Sequence, residues 1–111
     1  MAYQVVELLL EDGASPYGEW FDKLPADVAA KVATAVLRMQ QGNLSRVEWF
    51  RGIGEYKIDY GPGWRIYLAK DGLQLIVLLG GGSKKEQQAD IDRAVALWND
   101  YQRRKRAAIS K

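Results

Sequence analysis

Between residues 44 and 79 the apolar pattern of this chain changes its period, and that change limits the folds open to it. Before residue 44 the spacing is helical. Val28, Val32 and Val36 fall four apart, as do Ala29, Ala33 and Leu37, and together they predict one apolar stripe on a helix. After it the period is two. Glu55-Tyr56-Lys57-Ile58-Asp59-Tyr60 alternates strictly between polar and apolar side chains, as a half-buried strand does. Gly61-Pro62-Gly63 turns the chain, and Trp64-Arg65-Ile66-Tyr67-Leu68 returns as a second strand. Asp71-Gly72 signals a two-residue hairpin. The nearly unbroken apolar run at residues 73–79 then predicts a central strand buried on both faces.

The flanks complete the outline. Residues 3–10 predict a leading strand. Ser15 and Pro16 open a short helix at N-cap and first-turn positions, and Pro25 opens a second, so residues 15–41 predict a helical hairpin. After Gly80-Gly81-Gly82, Ser83 with Glu86 forms a capping-box pattern that starts a last helix, with Ile91, Ala94, Val95, Trp98 and Tyr101 as its buried stripe. The basic tail at residues 103–111 loses the stripe and is expected to fray. The order is β-α-α-β-β-β-β-α, with the strand at residues 46–50 the weakest in pattern. It predicts one α+β domain spanning residues 1–111: an N-terminal strand and helical hairpin on a mostly antiparallel sheet of four or five strands, with a C-terminal helix.

Composition narrows the chemistry. The 111 residues contain no histidine and no cysteine. A Ser-His-Asp triad, a disulfide framework and a thiolate metal site are therefore excluded, and no cofactor or metal is expected. No apolar run approaches the roughly 20 residues that span a bilayer, and the start, Met1-Ala2-Tyr3-Gln4, is expected to carry no signal peptide. A cytoplasmic location is the expectation, with no membrane partner. The net charge of +2 is unevenly spread. Residues 1–30 hold six acids and one base, and residues 31–111 hold fifteen bases and eight acids. A basic body suits a polyanion.

Basic residues gather around the Gly61-Pro62-Gly63 hairpin. If Tyr60 pairs with Trp64, then Lys57 faces Tyr67 and Asp59 faces Arg65, all four on one side of the sheet. That side is then a face of charge beside aromatic rings, and the other is the core. The competing reading is a solvated face whose Asp59–Arg65 ion pair is worth about 0–1 kcal/mol. Lys84 and Lys85 follow the central strand at a helix N-terminus, where the dipole disfavours cations and favours a bound anion.

The run at residues 54–67, Gly-Glu-Tyr-Lys-Ile-Asp-Tyr-Gly-Pro-Gly-Trp-Arg-Ile-Tyr, resembles the signature of the HigB-like addiction module killer proteins within the RelE/ParE toxins. The run at residues 78–91, Leu-Leu-Gly-Gly-Gly-Ser-Lys-Lys-Glu-Gln-Gln-Ala-Asp-Ile, resembles that group's second signature. The likeness covers residues 15–105. It implies a RelE-like fold and the toxin of a type II toxin–antitoxin system, a ribosome-dependent mRNA endoribonuclease that inhibits translation and growth. Its implied partners are a helix-turn-helix antitoxin, the ribosome and mRNA. Carried over by position, Lys57, Arg65, Lys84 and Lys85 become the candidate catalytic residues, with either of the two adjacent lysines in the last role. Asp59 and Tyr67 support them, Asp59 as a base or as an orienting partner for Arg65, Tyr67 by stacking on a base of the RNA. Two positions depart from the pattern: Asp59 stands where some relatives place a lysine, and Ile91 where some place a tyrosine. The superfamily leaves two alternatives open, a ParE-like toxin that binds gyrase and a non-toxic regulatory homologue.

Overall fold

The structure, a computed structural model, describes residues 2–109. The chain runs β1 (Gln4–Glu7), α1 (Pro16–Asp22), α2 (Ala26–Gln40), β2 (Val47–Phe50), β3 (Ile53–Ile58), β4 (Trp64–Asp71), β5 (Leu75–Ser83) and α3 (Gln87–Ile109), with a single 3₁₀ turn at Lys84–Glu86 before α3. The five strands form one mixed sheet in the order β1-β5-β4-β3-β2. β1 lies parallel to β5, and the other pairs are antiparallel. This is an α+β fold.

Local chemistry accounts for the element ends. Ser15 caps α1, its hydroxyl accepting from the Gly18 N–H at 2.9 Å, with Pro16 in the first turn. β2 and β3 are joined by the two-residue turn Arg51-Gly52, whose φ angles of 53° and 82° give the left-handed geometry that matches strand twist. The β4–β5 turn is longer than the Asp71-Gly72 pattern predicts: Asp71 pairs with Leu75 across the three residues 72–74. Ser83 stands at the start of the 3₁₀ turn but its side chain makes no capping hydrogen bond, so the predicted capping box does not form.

Both faces of the sheet are buried. On one, Val28, Val32, Ala35 and Met39 of α2 and Tyr17 of α1 pack on Tyr56, Ile58, Ile66, Leu68, Ile76 and Leu78. The α2 stripe is rotated from the predicted one. Ala33 and Leu37 are exposed, because Ala35 and Met39 turn inward in their place. On the other face α3 lays Ile91, Ala94 and Trp98 over Ile53, Tyr67, Ala69, Val77 and Leu79. Burial of each large aliphatic side chain stabilises by about 1.5–3 kcal/mol.

The predicted charged, solvent-facing side of the sheet is therefore a second core. Alternation correctly puts Lys57, Arg65 and Tyr67 on the same side, but that side is covered at Arg65 and Tyr67 and open only at Lys57. The helix itself does not fray at residue 103. It continues to Ile109, with Arg103 and Arg104 on Asp100 and Lys105 on Asp71 at 2.6 Å. Ser110 and Lys111, like Met1, lie outside the described residues.

Candidate functional site

The hairpin of β3 and β4 sets the candidate site. Its register places Lys57 opposite Arg65 and Glu55 opposite Tyr67. The pairing is shifted by two residues from the predicted one because β3 ends at Ile58, and residues 59–63 make a five-residue loop instead of three. A shift of two keeps each side chain on its face and changes its neighbour. Asp59 is thereby removed from the strand. It is exposed in the loop and forms no ion pair with Arg65.

The partner of Arg65 is Glu55. Their nearest atoms, Nε and Oε2, are 3.6 Å apart, and the residues are 7% and 2% exposed. Glu55 also accepts a hydrogen bond of 2.9 Å from Nε2 of Gln87, in the first turn of α3. The acid thus links the hairpin to the covering helix. With Nε facing Glu55, Arg65 keeps Nη1 buried without an acceptor among the described residues. Buried guanidinium donors are costly to leave unpaired. Nη1 therefore marks a place where an acceptor would be stabilising.

Gly63 lies at that place. A Cβ on it would stand 3.4 Å from Nη1 of Arg65 and 3.8 Å from Cβ of Lys84, and its φ of +86° suits glycine. The Gly63 carbonyl accepts from the Lys84 N–H at 3.0 Å, which fixes the start of the 3₁₀ turn against the hairpin loop. Lys84 and Lys85 are both exposed. Position separates them, since only Lys84 is tied to Gly63 and adjoins the Arg65 fork. Lys57 is also exposed, with Glu48 of β2 at 4.0 Å. Lys57, Arg65 and Lys84 thus lie at one end of the sheet, two exposed cations beside a buried one.

Tyr67 cannot stack on a ligand as its sequence position suggested. It is 1% exposed, and its enclosed hydroxyl has the Glu55 carboxylate as its neighbour. Burial, and then the nearby Glu55 carboxylate, raise its pKa well above the ordinary tyrosine value. Ile91 is buried on the face of α3 that packs on the sheet.

A cleft of about 600 Å³ adjoins the cations. It lies between α1 and α3, over Gly80-Gly81-Gly82, which form the end of β5 and not a turn after it. β1 accompanies β5 only to Leu78, so beyond that residue this edge of β5 has no strand beside it. Each glycine has a separate reason. A Cβ on Gly81 would strike the Trp20 ring, one on Gly82 would strike the Asp90 carboxylate, and one on Gly80 would meet nothing within 4 Å. Asp90 has its pKa raised by burial, opposed by Arg93.

Glu55, Gln87, Asp90 and Trp20 were not legible as site residues. Glu55 occupies a polar position of an alternating strand, which reads as solvated until a helix is known to cover it. The triglycine was the available signal, since glycine within a strand marks close approach of another group.

No family model matches the chain, and no solved structure matches it. A protein of Haemophilus influenzae strain Rd, described as an uncharacterized protein, is 36% identical over 83 residues, which cover 73% of this chain and 84% of that protein. The chain belongs to one family with this Haemophilus protein.

Proposed function

We propose that this protein is the toxin of a type II toxin–antitoxin pair, RelE-like in fold and HigB-like in its signatures, and that it cleaves mRNA on the ribosome. The observation that carries the reading is the Arg65 guanidinium, held through Nε by Glu55 beside Gly63 and Lys84, with its buried Nη1 left without an acceptor. Cleavage at a ribose 2′-hydroxyl develops charge on the nonbridging phosphate oxygens, and fixed cations stabilise that charge. Arginine suits the fixed role because its fork matches a phosphate and keeps its proton at neutral pH. Lys57 and Lys84, both exposed, close on the phosphate from either side. Asp59, exposed in the hairpin loop and free of an Arg65 pair, is the carboxylate available to act as base. The cytoplasmic setting, the ribosome and a helix-turn-helix antitoxin belong to the same proposal.

The test is induced expression in a bacterial host with primer extension on transcripts. Growth arrest with new 5′ ends, both weakened by Lys84→Ala, is the expected result. Arrest with intact transcripts overturns cleavage and turns the reading to a protein target such as gyrase. Full growth overturns the toxin reading.

A further inference from the structure

The hairpin loop at residues 59–63 carries Gly63 to the cations, yet little of it is packed. Asp59, Gly61 and Pro62 are exposed, and Gly61 and Gly63 take φ angles of +58° and +86°. Glycine leaves a chain many nearby conformations, so a loop of this kind keeps one of them only where something outside it holds it. The bonds from the Tyr60 N–H to the Ile58 carbonyl and from the Gly63 N–H to the Tyr60 carbonyl, both 3.0 Å, shape the turn. They do not fix where the turn points.

Two further hydrogen bonds, among the described residues, tie the loop to elements outside the hairpin. At its end the Gly63 carbonyl accepts from the Lys84 N–H. Near its start the Tyr60 hydroxyl donates to Oδ2 of Asp27 at 2.6 Å, in the first turn of α2. A phenol on a carboxylate is a charge-assisted bond, and this one is short. It holds the Asp27 carboxyl below the ordinary carboxylate range and raises the Tyr60 phenol above its own. Lys31, one turn further along α2, sets its Nζ 4.8 Å from the centre of the Tyr60 ring. A cation over the ring and an anion on its hydroxyl thus hold one side chain from two directions. The support is firm, because Val28 and Val32 beside these residues bury α2 against the sheet.

The contacts run in series from α2 through Asp27, Tyr60 and the turn to Gly63 and Lys84. We propose that Asp27 and Tyr60 are a positioning pair for the cation site: their bond aims the 59–63 loop, and the loop sets Gly63 against Arg65 and the backbone of Lys84. Neither side chain touches the phosphate. The inference rests on the proposed phosphate chemistry only for what the positioned cations act on.

The test uses the full ¹⁵N-labelled chain. The Gly63 and Lys84 amides are themselves donors in the turn and at its tether, so their hydrogen exchange reports the loop directly. Tyr60→Phe keeps the ring under Lys31 and removes only the hydroxyl. It is expected to quicken exchange at Gly63 and Lys84 by about threefold to tenfold, with the core amides of Leu68 and Ile76 unmoved. Asp27→Ala should match it, and the double variant should be no worse than either single one. Asp27→Asn, which keeps an acceptor, should recover most of the protection. In single-turnover cleavage on programmed ribosomes the maximal rate should fall by a similar factor, with half-saturation unchanged. Unaltered exchange at Gly63 and Lys84 in folded Tyr60→Phe, additive losses in the double variant, or quickened exchange spread equally to Leu68 and Ile76 would overturn the pair. So would full cleavage by a Tyr60→Phe protein whose parent cuts. A parent that cuts no transcript overturns the nuclease alone, and the exchange pattern then decides the pair by itself.

Discussion

Glu55 and Arg65 approach to 3.6 Å between β3 and β4, and each is more than nine-tenths buried beneath α3. Their register partners are Tyr67 and Lys57, so the ion pair is diagonal across the hairpin. A pair in this setting is costly to break, because whichever charge remains is left in a poor solvent.

Glu55→Gln and Arg65→Ala should each destabilise the fold, by about 3–5 kcal/mol. Replacing both, as Glu55→Leu with Arg65→Met, should recover most of that loss while abolishing any anion affinity. Urea melts of the four proteins check this. A single-variant loss below about 1 kcal/mol would show that the pair is effectively solvated.

Lys57 lies half-exposed, 4.0 Å from Glu48, so its removal should cost at most about 1 kcal/mol of stability. Lys57→Ala should nonetheless reduce transcript cleavage, by up to about 10²-fold if it faces the phosphate in the transition state. Single-turnover cleavage on programmed ribosomes, beside a thermal melt, separates the two effects. Unchanged cleavage by the folded variant removes Lys57 from the site.

The three glycines of β5 should answer differently to alanine. Gly81→Ala places a methyl group against the Trp20 ring and should cost about 1–3 kcal/mol. Gly80→Ala meets open space and should stay within about 0.5 kcal/mol of the parent. Equal losses at the two positions would contradict the packing of α1 on β5.

Acid should loosen the end of α3 through Asp71. Its pKa is lowered first by the hydrogen bond from Lys105 and then by that from Tyr101. A folded pKa below the unfolded one means that the contribution is complete above the ordinary carboxylate range and is lost as pH falls through the folded value. Stability should therefore drop below about pH 4, and Asp71→Asn should flatten that part of the curve. Hydrogen exchange of the amides at residues 101–106 should quicken over the same interval. A parallel acid response in Asp71→Asn would assign the drop to other carboxylates.

The amino-acid pattern alone determined which segments became helices and strands and in what order, because apolar periods of 3.6 and 2 and turn residues such as Ser15 and Gly63 act within a few residues of themselves. It also determined that Lys57, Arg65 and Tyr67 share one side of the sheet, since strand alternation depends only on parity. What lay over that side was decided by tertiary structure. Glu55 and Asp59 are both acids at polar positions of one alternating run, and only the end of β3 at Ile58 placed the first opposite Tyr67 and the second in a loop. The docking of α3 then buried Glu55, Arg65 and Tyr67 together. That contact joins residues more than 20 positions apart, as in the bond from Gln87 to Glu55, and no local pattern encodes the loss of water that gives a charge its partner.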